Sequence, residues 1–267
     1  VNRSLFPAGV ISSSANQHVK WLRLLAESAR HRRSERSFVI EGVRLVSDAL
    51  SAGAELRLAL YAPEQLSSTP AGTALLNRLR QLPNCYPATP AAVAAAADTE
   101  QPQGVVAAVR WPELSPRPGL RLVLDAIQDP GNVGTLLRSA AAAGVGLVMC
   151  APGTVDPFNP KVARAAMGAH FLLPLRIWSW EMVSAELSSL TVYAADSAGK
   201  HPYYAVDWRQ PAALIIGNEA HGLSSSARAL AQHLIAIPMV GSIESLNAGV
   251  AGSIILFEAL RQRMVEQ

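Results

Sequence analysis

Three short segments of the chain gather carboxylates, amides, hydroxyls and glycines where apolar runs end. The first is Leu124-Asp-Ala-Ile-Gln-Asp-Pro-Gly-Asn-Val-Gly-Thr-Leu-Leu-Arg138. An apolar run gives way to a Pro/Gly turn and then to a helical pattern, with Asn132 placed as the helix N-cap and Arg138 in the second turn. An amide can orient a hydroxyl, and a guanidinium can clamp phosphate through paired N–H groups. The second is Leu214-Ile-Ile-Gly-Asn-Glu-Ala-His-Gly-Leu-Ser224, in which Gly217 and Gly222 bracket a polar loop whose single carboxylate is Glu219. Glycines allow positive φ or a close backbone approach to a ligand, and an acid at a strand's carboxyl end is a candidate site residue. The third is Ile235-Ala-Ile-Pro-Met-Val-Gly-Ser-Ile-Glu-Ser-Leu-Asn-Ala-Gly249, where Ser245 is placed to cap a long final helix. A fourth stretch, Asn159 to Gly168, sets Lys161 and Arg164 three apart on one helix face, able to hold phosphate or simply to be solvated. Each segment alone also reads as an ordinary turn, surface or core element.

The elements that must carry these residues follow from apolar periodicity. Runs at 120–124, 145–150, 192–195, 213–216 and 234–237 are apolar on both faces, as in a parallel sheet covered by helices. Helical patterns at 133–143, 162–167 and 245–263 alternate with them. This predicts an open, mostly parallel α/β sheet, whose ligands sit beyond the carboxyl ends of its strands. Pro112, Pro116 and Pro118 mark 110–119 as a linker. Before it, residues 1–109 read as a small α/β domain. Helical patterns lie at 16–30, 42–52, 73–81 and 91–97, and strands at 37–40, 56–61 and 104–109.

Composition narrows the class. Of 267 residues half are hydrophobic and 16% are charged, which fits a globular protein and excludes a disordered one. No apolar run approaches the length of a membrane helix, and the first residues lack a signal-peptide pattern, so a cytoplasmic protein is expected. Two cysteines, Cys85 and Cys150, read as buried small hydrophobes and exclude a disulfide framework; no structural metal is expected. The net charge of +3 suits a polyanionic partner. From His18 to Arg44 seven Lys/Arg stand against three acids, and Arg30, Arg32, Arg33 and Arg36 form the densest cluster. A solvated turn is the plain reading of that cluster.

Taken together and in this order, the three segments resemble the SpoU/TrmH family of RNA ribose 2′-O-methyltransferases. DPGNVGTLLR, IIGNEAHGLS and IPMVGSIESLNAGVAGSIILFEAL are similar to its three motifs, and NPKVARAAMGA to a stretch between the first two. The resemblance covers 120–267. Residues 1–109 more loosely resemble the family's RNA-binding N-terminal domain, through SFVIEGVRLVSDAL and GVVAAV. Asn159 stands where serine is commoner in the family, and Ala220 and Ala248 depart from common loop residues.

The resemblance implies a deep trefoil knot, S-adenosylmethionine as cofactor, and a homodimer whose sites form at the knot-to-knot interface. By it, Ile216, Gly217, Asn218, Ile237, Pro238, Met239 and Leu246 bind the cofactor. Arg138 is the central catalytic residue, as phosphate clamp or base; Asn132 orients the target ribose; Glu219 positions Arg138 or Asn132; Ser245 and Asn247 complete the pocket. With a methyltransferase half beside them, Arg30, Arg32, Arg33, Arg36, Lys161 and Arg164 become phosphate contacts to RNA. Without an aromatic stacking series, structured RNA is favoured over single strands. Ribosomal RNA is the leading substrate, antibiotic-resistance enzymes included. A tRNA enzyme of the same family and an RNA-binding protein without catalysis are the alternatives.

Overall fold

The computed structural model describes residues 9–240 and 245–264. The beginning of the chain, on which the signal-peptide reading rested, and residues 241–244 of the third motif lie outside the described residues. The chain forms two compact units. One comprises residues up to Pro112 together with Phe158–Arg164, the other Glu113–Pro157 and the chain from Ala165 on.

The first unit runs α1 (Gln17–Glu27), α2 (Ala29–Glu35), β1 (Ser37–Glu41), α3 (Val43–Ser51), β2 (Leu56–Tyr61), α4 (Pro63–Leu66), α5 (Pro70–Leu79), β3 (Cys85–Pro87), α6 (Pro90–Ala96) and β4 (Val105–Arg110). Its sheet has the order β1-β4-β2-β3, with β4 antiparallel to both neighbours and β3 parallel to β2. Val19, Leu22 and Leu25 of α1 pack with Val93 and Ala96 of α6 over β2 and β4. The single helix expected over 16–30 is broken at Ser28, whose extended backbone ends α1 while its hydroxyl accepts from His31 N–H to start α2. Arg30, Arg32 and Arg33 therefore lie on a helix rather than a turn, and Arg36 caps it in the left-handed region with φ of 46°.

The second unit continues with β5 (Arg121–Leu124), α7 (Pro130–Ala142), β6 (Leu147–Cys150), α8 (Pro160–Ala166, of which residues 160–164 count with the first unit), β7 (Leu175–Ile177) and α9 (Trp180–Leu187). Then come β8 (Thr191–Ala195), β9 (His201–Pro202), β10 (Ala212–Ile216), α10 (Ser225–Leu230), β11 (His233–Ala236) and α11 (Ala248–Met264). The seven strands lie in the order β7-β6-β5-β10-β8-β11-β9, every described pair parallel. All of Leu122–Leu124, Leu147–Cys150 and Ala212–Ile216 are buried, as expected for strands covered on both faces. Cys150 is buried, but Cys85 is only half-buried, against expectation. Its strand lies at the edge of the first sheet, with one neighbour.

Helix starts recur as a polar cap followed by proline. Thr69-Pro70, Thr89-Pro90 and Asp129-Pro130 each place a side-chain oxygen on the third residue's N–H and a proline where no N–H partner is needed. Asp129, not Asn132, thus caps α7; Asn132 lies in the first turn. The last helix begins at Ala248, and Asn247 rather than Ser245 accepts from Val250 N–H, at 3.1 Å. Among the described residues no helix is long and apolar enough to cross a membrane.

Candidate active site

The site lies in the second unit, at the carboxyl edge of its sheet. A strand apolar on both faces cannot hold polar chemistry, so the chemistry sits in the loops that leave β5, β10, β8 and β11. The loops after β10, β8 and β11, with the start of α11, line a cavity of about 360 Å³, within the range of small-molecule sites. Ile216, Ile237, Met239 and Leu246 give it an apolar wall. Gly217, Asn218, Glu219 and Ser245 also line it.

The loop after β10 is braced by its own amides. Asn218 and Gly222 exchange backbone hydrogen bonds of 3.0 and 2.9 Å, and Gly222 adopts φ of 69°. A Cβ on Gly217 would come within 2.8 Å of the Gly222 carbonyl oxygen, so the loop closes this tightly only with glycine there. Asn218 Oδ1 accepts from Ala220 and His221 N–H, both at 2.9 Å, while its Nδ2 donates to the Ala126 carbonyl at 2.7 Å. The Asn218 side chain is therefore engaged in holding the loop. From below, buried Asp125 accepts from Ser224 N–H at 2.7 Å and ties the loop's end to β5.

This bracing carries Glu219 to the start of α7. There the buried Asn132 donates through Nδ2 to Glu219 Oε1 at 2.6 Å, while its backbone N–H donates to Asp129 Oδ1 at 2.7 Å. The first turn of α11 closes the group. A Cβ on Gly249 would meet Asn247 Oδ1 at 3.1 Å and Asn132 Oδ1 at 3.3 Å, so both amides stand against this glycine. Chemically, the arrangement offers an exposed carboxylate fixed by an amide, beside a cavity with an apolar wall.

Several expected residues stand elsewhere. Arg138 is exposed on α7, does not line the cavity, and has no hydrogen-bond or ion-pair partner among the described residues. Pro238 lines an adjoining cavity with Lys200 and Pro202 instead. Arg32 is buried, 2% exposed, and donates to the Leu25 and Ala26 carbonyls at 2.7 and 2.8 Å. It satisfies the orphan carbonyls at the end of α1, so it cannot also grip phosphate. Arg164 is held by Glu41 at 2.5 Å and by Asp98 at 2.8 Å; two carboxylates already neutralise it. Arg30, Arg33, Arg36 and Lys161 are exposed.

Sequence reasoning passed over Asp129, Asp125, Asp196 and Arg228. The first was signalled by the cap-then-proline pattern. Asp196 follows an apolar strand just as Glu219 follows β10; with Arg228 it lines the cavity.

The chain is similar in sequence and fold to known proteins. The SpoU rRNA Methylase family model matches residues 119–257, and the MRM3-like substrate binding domain model matches residues 16–107. The 23S rRNA (guanosine(2553)-2′-O)-methyltransferase RlmP of Bacillus subtilis is 33% identical over 92% of this chain and 97% of its own. The 23S rRNA (uridine(2479)-2′-O)-methyltransferase of Streptomyces viridochromogenes is 32% identical over 95% of this chain and 92% of its own. The crystal structure of the SpoU methyltransferase AviRb from Streptomyces viridochromogenes, in complex with AdoMet, superimposes with a TM-score of 0.83 at 29% identity. That match covers 93% of this chain and 98% of AviRb. With its second and third motif loops around one cavity and its similarity running through both units, the chain belongs to the SpoU rRNA methylase family.

Proposed function

We propose that this protein transfers a methyl group from S-adenosylmethionine to a ribose 2′-hydroxyl of ribosomal RNA. The observation that carries the reading is the Asn132–Glu219 contact at the edge of the cavity formed by Ile216, Ile237, Met239 and Leu246. S-adenosylmethionine supplies an electrophilic methyl on its sulfonium. The apolar wall suits adenine, and the backbone of the Gly217 loop is free to approach it closely. Asn132, steadied by Glu219, orients the incoming hydroxyl, and orientation removes much of the barrier to such a displacement. Ser245 and Asn247 complete that side of the pocket.

Two full-length relatives named for ribosomal RNA act on different nucleosides, a guanosine and a uridine, yet both modify the 2′-oxygen. Ribose chemistry is what they share, and it is the part assigned to this chain. The reading gives RNA binding to the first unit and methyl transfer to the second; against the expected bounds of 1–109, 110–119 and 120–267, Arg110 belongs to β4 and Phe158–Arg164 counts with the first unit. The match of the substrate-binding model to 16–107 supports this. It includes a knotted path for the second unit, supported by β10 lying between β5 and β8, and a cytoplasmic location.

It also includes a homodimer. Val250 and Phe257, seven apart on α11 and each 47% exposed, offer an apolar stripe. Arg138, outside its own chain's cavity, enters a site completed by the second copy and clamps the target phosphate. Calorimetry with S-adenosylmethionine in the presence of chelator, and transfer of labelled methyl into ribosomal RNA, test the function. Binding and transfer are expected; absence of both overturns it. Light scattering tests the dimer.

A further inference from the structure

We infer that Asp196 holds the ribose diol of the cofactor and that Arg228 is its positioning residue; this rests on the methyltransferase reading above. Asp196 follows directly on β8, and its carboxylate is only 13% exposed. Its Oδ1 accepts from Ala198 N–H at 2.9 Å and its Oδ2 from Arg228 Nη2 at 2.8 Å. A carboxylate can accept about four hydrogen bonds, so acceptor capacity remains on both oxygens. Both residues line the cavity.

The strand order says which part of the cofactor comes here. Across the carboxyl edge the order is β5, β10, β8, β11. Asn132 follows β5, Glu219 follows β10, Asp196 follows β8, and Ile237 and Met239 follow β11. The reacting methyl must face Asn132 and Glu219, and the base must take the apolar wall toward β11. In S-adenosylmethionine the ribose joins these two ends. Neighbouring strands are about 4.8 Å apart, so roughly 10 Å separate β10 from β11, with β8 midway. The ribose therefore passes the tip of β8, where, among the described residues, the one acidic side chain is Asp196. A carboxylate at a strand tip suits two vicinal hydroxyls, the pairing dinucleotide-binding folds use for ribose. Arg228, reaching from α10, fixes the carboxylate's plane.

The test is calorimetry of the full-length protein with S-adenosylhomocysteine and its 2′-deoxy and 3′-deoxy analogues. Wild type is expected to bind the natural ligand about ten- to a hundredfold tighter than at least one deoxy analogue, as for hydrogen bonds to a charged group. Asp196→Ala should bind S-adenosylhomocysteine that much more weakly and lose the discrimination. Arg228→Ala should show an intermediate loss of both, with Arg228→Lys recovering part. Thermal melting, with Asp196→Asn as the isosteric control, separates a folding defect from a binding one. If Asp196→Ala discriminates against the deoxy analogues as wild type does, the assignment is overturned. If wild type binds S-adenosylhomocysteine tightly without discriminating, this inference fails and the methyltransferase reading stands. If wild type binds none of the three, both fail.

Discussion

Asn132 and Glu219 are 87 positions apart in the chain, and a hydrogen bond of 2.6 Å joins them. One lies in the first turn of α7, the other in the loop after β10, and Asp129 and Asn218 hold their respective ends. The contact fixes an amide in one orientation, with the glutamate as acceptor, and so sets what that amide can offer a substrate hydroxyl. Asn132→Ala is expected to lower single-turnover methyl transfer by about a hundredfold, the scale on which misplacement of a reactant acts, while cofactor affinity holds. Glu219→Gln removes the charge and can pair wrongly with the amide, so a smaller loss is expected. Equal rates in all three proteins would separate this pair from catalysis.

Arg138 separates two mechanisms. Arg138→Ala should abolish transfer with cofactor affinity unchanged, because the cavity is lined by other loops. If the guanidinium clamps phosphate through paired N–H groups, Arg138→Lys is nearly as poor as Ala, since lysine lacks the planar fork. A role as base predicts that the lysine variant retains activity that rises with pH. Single-turnover rates over a pH series decide between them.

The basic cluster of the first unit divides by burial. Arg30→Ala with Arg33→Ala should weaken RNA binding and flatten its dependence on salt, because fewer counterions are released. Arg32→Ala should act on stability instead. It leaves the Leu25 and Ala26 carbonyls without their donor, at about 1–3 kcal/mol each. RNA filter binding and thermal melting on the same variants should show these opposite patterns.

His170 makes stability fall in acid. Burial holds its pKa down at about 4, against the ordinary value of 6.5, and its Nε2 pairs with the Pro157 carbonyl at 2.7 Å. Below pH 6.5 the unfolded chain takes up a proton that the folded one refuses until about pH 4. Stability contributed by the neutral ring is thus complete above pH 6.5 and is lost as pH falls toward 4. Urea midpoints at pH 7 and 4.5 should drop for wild type and drop less for His170→Gln.

Much of this was legible in the residues. The buried strands of the second unit were visible because both of their faces are apolar, and their parallel order follows from alternation with helices. The short edge strands β3, β7 and β9 were not, since two or three residues with one neighbour carry too little pattern. Glu219 stood out as the sole carboxylate between two glycines. Its pairing with Asn132 did not, because nothing local to either residue encodes the juxtaposition of β5 and β10. Arg32 and Arg164 were misplaced for a related reason. A cationic side chain looks alike in sequence whether it faces solvent, caps a helix or meets two acids, and only the packing of α1 or the position of Glu41 decides.

The most direct test is to map methylation on ribosomal RNA incubated with the protein and S-adenosylmethionine, reading each position for resistance to alkaline cleavage. A 2′-O-methyl group blocks the attack of the 2′-oxygen on its phosphate, so one new resistant linkage is expected, absent with Arg138→Ala. Methyl found on a base, with every linkage still cleaved, would contradict the account.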